Sequence, residues 1–222
     1  MSDLKKHSIF ETPLYIYEEP SFLKLNKVCD KYIKDGKVFN KKKIKMRDKT
    51  YKKKIGDFGL SNASTTLLDD VRTKDFQEFV GQTSFNILES QGFNLKEYRV
   101  DFSELWVQEF GEKGGGHQRI HIHPNSHISG FYFLKASEKT SYPMFHDPRP
   151  GAVMNKLPLK ETFTTTSMNQ ADVRPKPGMF IFFNSYLPHE FVVDAGIDPF
   201  RFIHFNLAAL PKKYFKDELS KK

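Results

Sequence analysis

The residues best suited to chemistry are three histidines and one arginine in the second half of the chain. His121 and His123 are one residue apart, so on an extended segment both imidazoles point to the same face. His189 follows a very apolar segment and could close a third corner around one metal ion. Arg201 opens the last apolar segment and could hold an acidic co-substrate. This combination favours a mononuclear iron site that activates oxygen.

The ligand set predicted from this pattern contains no carboxylate. The usual non-haem iron triad has two histidines and one carboxylate, whereas His123 stands at the place of the carboxylate. Asp147 is an alternative carboxylate ligand, although an aspartate before a proline also favours a turn. The remaining histidines are predicted to make ordinary hydrogen bonds, with His127 and His146 close to the site. This group comprises His7, His117, His127, His146 and His204.

Two helices and an edge strand are predicted in the first half of the chain. Ile9–Tyr17 alternates like a strand, and the proline inside it places that strand at a sheet edge. Ser21 opens a helix with apolar residues at helical spacing, which Gly36 ends. Residues 37–63 are polar and Lys-rich without a period, and Lys74–Ser90 forms the second helix. We therefore expect two helices separated by a long polar loop.

From Tyr98 onward the sequence changes to short strands separated by turn-forming residues. A series of short strands after two helices is typical of a jelly-roll barrel backed by helices. We predict one domain, with supporting elements in residues 1–97, the barrel core in 98–210 and a basic tail in 211–222. The predicted strands are Ser103–Phe110, Arg119–His123, His127–Leu134, Pro143–His146, Thr162–Thr166, Gly178–Asn184, Glu190–Val193 and Arg201–Leu207.

Composition limits the class of protein further. A chain of 222 residues can bury a substantial core. Its single cysteine, Cys29, excludes an intramolecular disulfide framework and fits a reducing compartment, so we predict a cytoplasmic protein. The charged start of the chain does not resemble a signal peptide, and no apolar run is long enough to span a membrane.

The net charge of +8 is concentrated in a basic run from Lys41 to Lys54. Such a run could contact nucleic acid or another polyanion. A solvated, Lys-rich loop is the simpler interpretation, because like charges in sequence are commonly exposed and no cluster of stacking aromatics accompanies them. The role of this segment and the oligomeric state stay open at the level of the sequence.

Four sequence blocks occur in an order that resembles a known family. They are QRIHIHPNSHISGFYFL at 118–134, FHDPR at 145–149, PGMFIFFNSYLPH at 177–189 and RFIHFN at 201–206. The blocks resemble the 2-oxoglutarate and Fe(II)-dependent oxygenases of marine bacteria and their phages, a branch related to prolyl 4-hydroxylases. The resemblance covers about residues 100–210 and implies a double-stranded β-helix, which is a jelly roll.

The resemblance also implies roles for individual residues. His121 and His189 match the metal-binding histidines, and His123 occupies the position where prolyl hydroxylases carry an aspartate. Arg201 matches the arginine that pairs with the distal carboxylate of 2-oxoglutarate. Relatives often have a serine two residues later, so here a hydroxyl from Tyr132 or Ser129 is expected to complete the carboxylate pocket. The implied reaction is hydroxylation of a C–H bond, with a prolyl, other amino-acid or peptide substrate or another small molecule.

Three other functions fit the same sequence. A cupin-type metal dioxygenase or isomerase could use three histidines without 2-oxoglutarate and would not require Arg201. A non-catalytic barrel could keep this shape and bind a polyanion through the basic run. An oxygenase with a nucleic-acid substrate would use both the triad and the charge. Metal content and turnover of 2-oxoglutarate to succinate distinguish the first two from the proposed oxygenase.

Overall fold

A computed structural model describes residue 5, residues 7–149, residues 151 and 158, and residues 167–215. Its helices are α1 (Leu25–Tyr51) and α2 (Lys74–Ser90), and a short 3-10 turn, Pro20–Lys24, precedes α1. The strands are β1 (Leu14–Glu18), β2 (Ser61–Ala63), β3 (Tyr98–Phe110), β4 (Gln118–His121), β5 (Ile128–Lys135), β6 (Pro143–His146), β7 (Gln170–Asp172), β8 (Met179–Asn184), β9 (His189–Phe191) and β10 (Arg201–Pro211).

These strands form two antiparallel sheets. The larger sheet has six strands in the order β1-β8-β5-β10-β3-β2, and the smaller has four in the order β4-β9-β6-β7. The predicted mainly-β architecture, a jelly roll with two supporting helices, is confirmed. The first strand lies at an edge of the larger sheet, as its internal proline predicts, although it begins only at Leu14.

The central strands of the larger sheet, β8, β5 and β10, are buried on both faces, and alternation along each strand decides the direction of each side chain. One face, called here the helix face, carries Ile203 and Phe205 of β10 and packs against α1 and α2. The other face, called the barrel interior, carries Phe131 and Phe202 and packs against Phe191 of the smaller sheet. Each side chain of β10 therefore packs either against the helices or inside the barrel.

The barrel interior changes from polar to aromatic with depth. Register places interior side chains of β3, β10 and β5 in rows across the sheet, because partners in an antiparallel pair point to the same side. The polar row contacts His123 through Asn206, and the last row leads into a cluster of phenylalanines. The rows are Glu104–Asn206–Ser129, Trp106–His204–Phe131 and Gln108–Phe202–Phe133.

Helix α1 is longer than the sequence predicts. Gly36 does not end it, and the segment interpreted as a Lys-rich loop is helical as far as Tyr51. Beyond Gly36 this helix has no apolar stripe, and hydrogen bonds from polar side chains attach it to the rest of the protein. Asn40 donates to the carbonyl of Ser61 at 3.0 Å, and Arg47 donates to the carbonyl of Phe58 at 2.8 Å. Most of the basic run therefore lies on a helical segment that is attached to the rest of the protein by a few individual hydrogen bonds.

Gly36 has a packing role instead. A Cβ added to it would lie 2.8 Å from the carbonyl oxygen of Ala63 in β2, closer than side-chain carbons normally approach an oxygen. A Cβ added to Gly81, inside α2, would have no described atom within 4 Å apart from its chain neighbours and the backbone of its own helix, so Gly81 lacks the close approach found at Gly36.

We expect Gly36→Ala to destabilise the protein by about 1–3 kcal/mol, because the methyl group forces α1 away from β2. Gly81→Ala is the matched control and should stabilise by about 0.5–1 kcal/mol, the usual gain in helix propensity. Urea unfolding of the two variants measures both effects. Equal stabilisation by the two substitutions would show that α1 does not approach β2 this closely.

The predicted strands of the second half agree with the structure to within a few residues at most ends. Pro143–His146 is found with the predicted bounds, whereas β3 starts earlier and β10 ends later than predicted. The short strands β2 and β7 are additional to those predicted. The predicted strand Thr162–Thr166 lies outside the described residues, as does the basic tail beyond residue 215.

Candidate metal centre

The three histidines identified from the sequence converge at one end of the barrel. One ring nitrogen from each of His121, His123 and His189 lies within 4.8 Å of the other two. The Nε2 atoms of His123 and His189 are 3.2 Å apart, and the ring centroids of His121 and His189 are 4.4 Å apart. Three imidazole nitrogens at these separations can bind a single transition-metal ion.

The smaller sheet and one turn position these rings. His121 on β4 is the register partner of His189 on β9, so the pair is fixed by strand pairing. His123 lies beyond the end of β4, whereas the sequence predicts it inside the strand. Its backbone N–H donates to the carbonyl of Ser185 at 3.0 Å, which attaches the segment after β4 to the turn that precedes β9.

Backbone carbonyls orient two of the three rings as ligands. Nδ1 of His121 lies 2.7 Å from the carbonyl of Arg119, and Nδ1 of His189 lies 2.9 Å from the carbonyl of Leu187. A carbonyl accepts only, so both Nδ1 atoms carry the ring proton and both Nε2 lone pairs are free. Metal-binding histidines in proteins are held in this way.

Burial keeps His123 and His189 uncharged. Desolvation, assisted by the neighbouring His121, lowers the pKa of His123 to about 4. Desolvation also lowers the pKa of His189 to about 3, although its backbone hydrogen bond to Leu187 acts in the opposite direction. The rings of Phe183 and Phe131 pack against His189 at centroid distances of 4.7 and 5.7 Å and provide much of this apolar wall. Neutral imidazole is the form that binds a metal ion.

His123 differs from the other two rings on its second nitrogen. Its Nδ1 lies 3.2 Å from the side-chain amide nitrogen of Asn206, which is a donor. The same amide nitrogen donates to the carboxylate of Glu104, and the amide oxygen of Asn206 accepts from the hydroxyl of Ser129 at 2.6 Å. These contacts make Nδ1 of His123 an acceptor, so Nε2 carries the ring proton in the metal-free chain.

His204 lies beside the centre, although the sequence predicts only an ordinary hydrogen-bonding role for it. Its ring is 4.7 Å from that of His123 and 4.2 Å from that of Trp106 between centroids, and only 3% of the residue is exposed. Desolvation lowers its pKa well below the usual range. The sequence signal for this position is alternation along β10, which places His204 on the same face as Asn206.

Asp147 lies outside the groups of residues with metal-ligand spacing in the described part of the chain. Its carboxylate accepts from Nε and Nη2 of Arg149 at 2.9 and 2.7 Å, and it also accepts from the backbone N–H of Arg149. These hydrogen bonds lower the pKa of Asp147. The turn-forming interpretation of this aspartate fits the structure, since the aspartate closes the turn after β6.

We expect Asp147→Asn to leave metal stoichiometry unchanged, because the carboxylate serves Arg149 and not the histidines. Metal content after anaerobic loading with Fe(II), measured by elemental analysis, checks this. Loss of the bound ion in this variant alone would make Asp147 the missing carboxylate ligand.

Arg201 does not point into the barrel. It alternates with Phe202 and shares the helix face with Ile203 and Phe205. Its guanidinium pairs with Glu109 at 2.6 Å and with Asp30 of α1 at 2.7 Å, and it is 4% exposed. The anionic partner that a buried arginine requires is therefore supplied by the chain itself, and the expected pairing with 2-oxoglutarate is not what this arrangement shows.

The charges around Arg201 are closely balanced. Its hydrogen bond lowers the pKa of Asp30. Burial raises the pKa of Glu109, but Lys37 at 2.9 Å and Arg201 outweigh burial, so that pKa is lowered overall. Arg201 is the only lysine or arginine that is buried among the residues the structure describes.

The two predicted helper hydroxyls have other partners. Tyr132 lies on the helix face and donates to the carbonyl of Glu19 at 2.9 Å, so it is excluded from the barrel interior. Ser129 does face the interior, where its hydroxyl lies 2.8 Å from that of Ser185 and donates to Asn206. Of the two, only Ser129 lies close to the histidines.

The two histidines expected near the site make separate contacts. Nε2 of His146 lies 3.0 Å from the carboxylate of Glu190. Nδ1 of His127 accepts from the backbone N–H of Ala209 at 3.1 Å. Neither belongs to a group of residues with metal-ligand spacing in the described part of the chain.

Comparison with known families identifies the central segment. The model of a family described as "Putative 2OG-Fe(II) oxygenase", where 2OG is 2-oxoglutarate, matches residues 104–205. The match runs from β3 to β10 and includes the three histidines. No curated protein sequence matches the chain.

Several solved structures share the fold. A prolyl-4-hydroxylase from Pseudomonas putida is 11% identical with a TM-score of 0.53, and the alignment covers 88% of this chain and 92% of that one. A viral collagen prolyl hydroxylase from Paramecium Bursaria Chlorella virus-1 is also 11% identical, with a TM-score of 0.50 and coverage of 94% and 98%. These identities show a common fold alone.

A shorter alignment is found with an oxidoreductase of the 2OG-Fe(II) oxygenase family from Burkholderia pseudomallei. It is 9% identical with a TM-score of 0.44, and it covers 64% of this chain and 60% of that chain. This chain thus spans less than two thirds of that protein. Separately, no helix in the described residues is long and apolar enough to cross a membrane.

Proposed function

We propose that this chain is a 2OG-Fe(II) oxygenase, the family whose model matches residues 104–205, and that His121, His123 and His189 hold its iron. The observation that carries the proposal is the orientation of the rings. Two Nδ1–H groups are fixed on backbone carbonyls, and their free Nε2 atoms converge with His123. Bound Fe(II), with its co-substrate, would supply the oxidising chemistry for hydroxylation of a C–H bond.

The protein's own contribution is orientation and exclusion of water. Strand pairing holds His121 and His189, and the turn at Ser185 holds His123. Phe131 and Phe183 pack against the ring of His189 and shield it from solvent. An all-histidine triad carries one negative charge fewer than the usual set, so the bound ion keeps more of its positive charge.

The second cofactor implied by the family, 2-oxoglutarate, fits less well. Arg201, the predicted partner of its distal carboxylate, points to the helix face and is already paired. The interior at the same depth is filled by Phe200, Phe202 and Phe133. The described residues therefore offer no buried cation for a dicarboxylate inside the barrel.

We further propose a small-molecule or peptide substrate that enters beside β6. A groove of about 600 Å³ lies between the segment His7–Leu14, the segment Phe145–Arg149 and the segment Met168–Ala171. This volume suits a small molecule or part of a peptide. The groove reaches Phe145, whose ring centroid is 6.1 Å from that of His189. It therefore borders the metal centre.

The proposed location is the cytoplasm. It rests on cysteine usage, since Cys29 is fully buried and unpaired. A reducing compartment is the usual place of such a thiol.

The test is turnover of protein reconstituted anaerobically with Fe(II). After addition of oxygen and 2-oxoglutarate, the proposal predicts formation of succinate that depends on iron, and more of it when the right amino-acid or peptide substrate is present. The His189→Ala variant is the control and should form none. Iron binding without any succinate would contradict the 2-oxoglutarate-dependent reaction.

A cupin-type iron dioxygenase or isomerase is the second candidate function. The placement of Arg201 on the helix face favours it, because such an enzyme needs three histidines and no 2-oxoglutarate. Iron bound to the three histidines, with no consumption of 2-oxoglutarate, would favour this alternative.

A further inference from the structure

A second group of possible metal ligands includes His123. One carboxylate oxygen of Glu104 and one ring nitrogen from each of His123 and His204 lie within 4.8 Å of one another. We propose that this group binds a second divalent cation, with the imidazole of His123 shared between the two ions. The site goes beyond the proposed function, and its only residue in common with the triad is His123.

The fold builds this group into the barrel interior. Glu104 and His204 come from the adjacent strands β3 and β10, and both face the interior, in neighbouring rows. His123 approaches from the turn after β4 on the opposite sheet. The ligands thus come from both sheets, and a cation among them would bridge the open end of the barrel.

His204 carries the strongest indication of a missing partner. Its Nε2 is buried and has no hydrogen-bond partner among the residues that the structure describes, and the whole residue is 3% exposed. A buried ring nitrogen without a partner is unfavourable, because it has lost its hydrogen bond to water and gained none in return. The neighbouring interior positions Trp106 and Phe131 are aromatic and leave this cost in place. A cation bound to Nε2 removes it.

His123 presents the matching lone pair. Its Nδ1 accepts from the amide of Asn206, whereas Nδ1 of a ligand such as His121 donates to a carbonyl. Nδ1 of His123 is therefore ready to bind a cation in place of one amide hydrogen bond. Binding of both ions requires loss of the ring proton from Nε2, which passes to solvent. Asn206 keeps its other bond, to Glu104.

The donor set defines the class of cation. Two imidazoles and one carboxylate suit Zn²⁺, Fe²⁺, Co²⁺ and Mn²⁺. The carboxylate also supplies the negative charge that the triad lacks. Glu104 is exposed, which gives a cation an entry path from solvent.

The experiment is a Zn²⁺ titration of chelator-stripped, full-length protein, with bound metal counted by elemental analysis after gel filtration. The parent is expected to bind two ions per chain. Glu104→Gln and His204→Phe should each bind one, whereas His121→Ala should retain the ion of the second site. Asp101→Asn, a carboxylate-to-amide change on the same strand, is the matched control and should bind two.

A spectroscopic measurement tests the shared ring. When both sites hold Cu²⁺, an imidazolate bridge couples the two spins, so the EPR intensity should fall below that expected from the bound copper. Full intensity with two bound ions would overturn the sharing of His123.

One bound ion in the parent, unchanged by Glu104→Gln and His204→Phe but lost in His121→Ala, would overturn the second site and leave the proposed function intact. Failure of the proposed function is separate, since it would appear as absence of iron-dependent turnover whatever the Zn²⁺ count.

Discussion

His189→Ala will lose stoichiometric iron and all iron-dependent turnover. His189 is fully buried, its Nδ1–H is fixed on the carbonyl of Leu187, and its Nε2 lies 3.2 Å from Nε2 of His123. Loss of a residue that only supports a ligand already weakens metal binding by about 10–100-fold, so removal of the ligand itself should exceed that. Anaerobic Fe(II) binding followed by gel filtration and elemental analysis measures the loss.

His127→Ala is the matched control for this variant. His127 is an exposed histidine whose ring accepts only from the backbone of Ala209. The control should bind iron like the parent. Near-parental iron in His189→Ala, with a normal circular-dichroism spectrum, would place the metal elsewhere.

Arg201→Met will act mainly on stability. Removing one partner of a buried ion pair costs about 3–5 kcal/mol, and the lower end applies here because Lys37 stays 2.9 Å from Glu109. The variant should unfold at markedly lower urea concentration, while the apparent Michaelis constant for any 2-oxoglutarate turnover should stay near that of the parent once corrected for the folded fraction.

The double variant Arg201→Met/Glu109→Gln separates charge from packing. It removes the uncompensated carboxylate and should recover much of the lost stability, because a buried pair replaced on both sides is often close to neutral. A single variant with parental stability and strongly weakened 2-oxoglutarate binding would show instead that Arg201 reaches the co-substrate.

The sequence predicts the metal ligands because they depend on local rules. His121 and His123 are separated by one residue, which brings their side chains together. The apolar strand before His189 determines where along the barrel that side chain lies. Neither inference requires knowledge of strand register. The jelly-roll class follows from the series of short strands in the same way.

The face of Arg201 could not be predicted by such rules. Both faces of β10 are buried, so alternation separates its residues into two sets without indicating which set faces the barrel. Arg201 lies on the helix face because it pairs there with Glu109 and Asp30, which are far away in sequence. The same register brings His204 to the metal centre.

The extent of α1 escapes sequence-based prediction for a different reason. Beyond Gly36 the helix has no apolar stripe, and periodicity is the main sequence signal of a helix. Contacts of Asn40 and Arg47 with residues that come after the helix stabilise this half. Such single polar contacts leave no repeating pattern in the sequence.

Anomalous diffraction at the iron absorption edge, from crystals loaded anaerobically with one equivalent of Fe(II), locates the bound iron. We expect a peak within bonding distance of Nε2 of both His121 and His189, on the side that His123 also faces. A peak bound to residues outside this triad, or none in protein that binds iron in solution, would contradict this expectation.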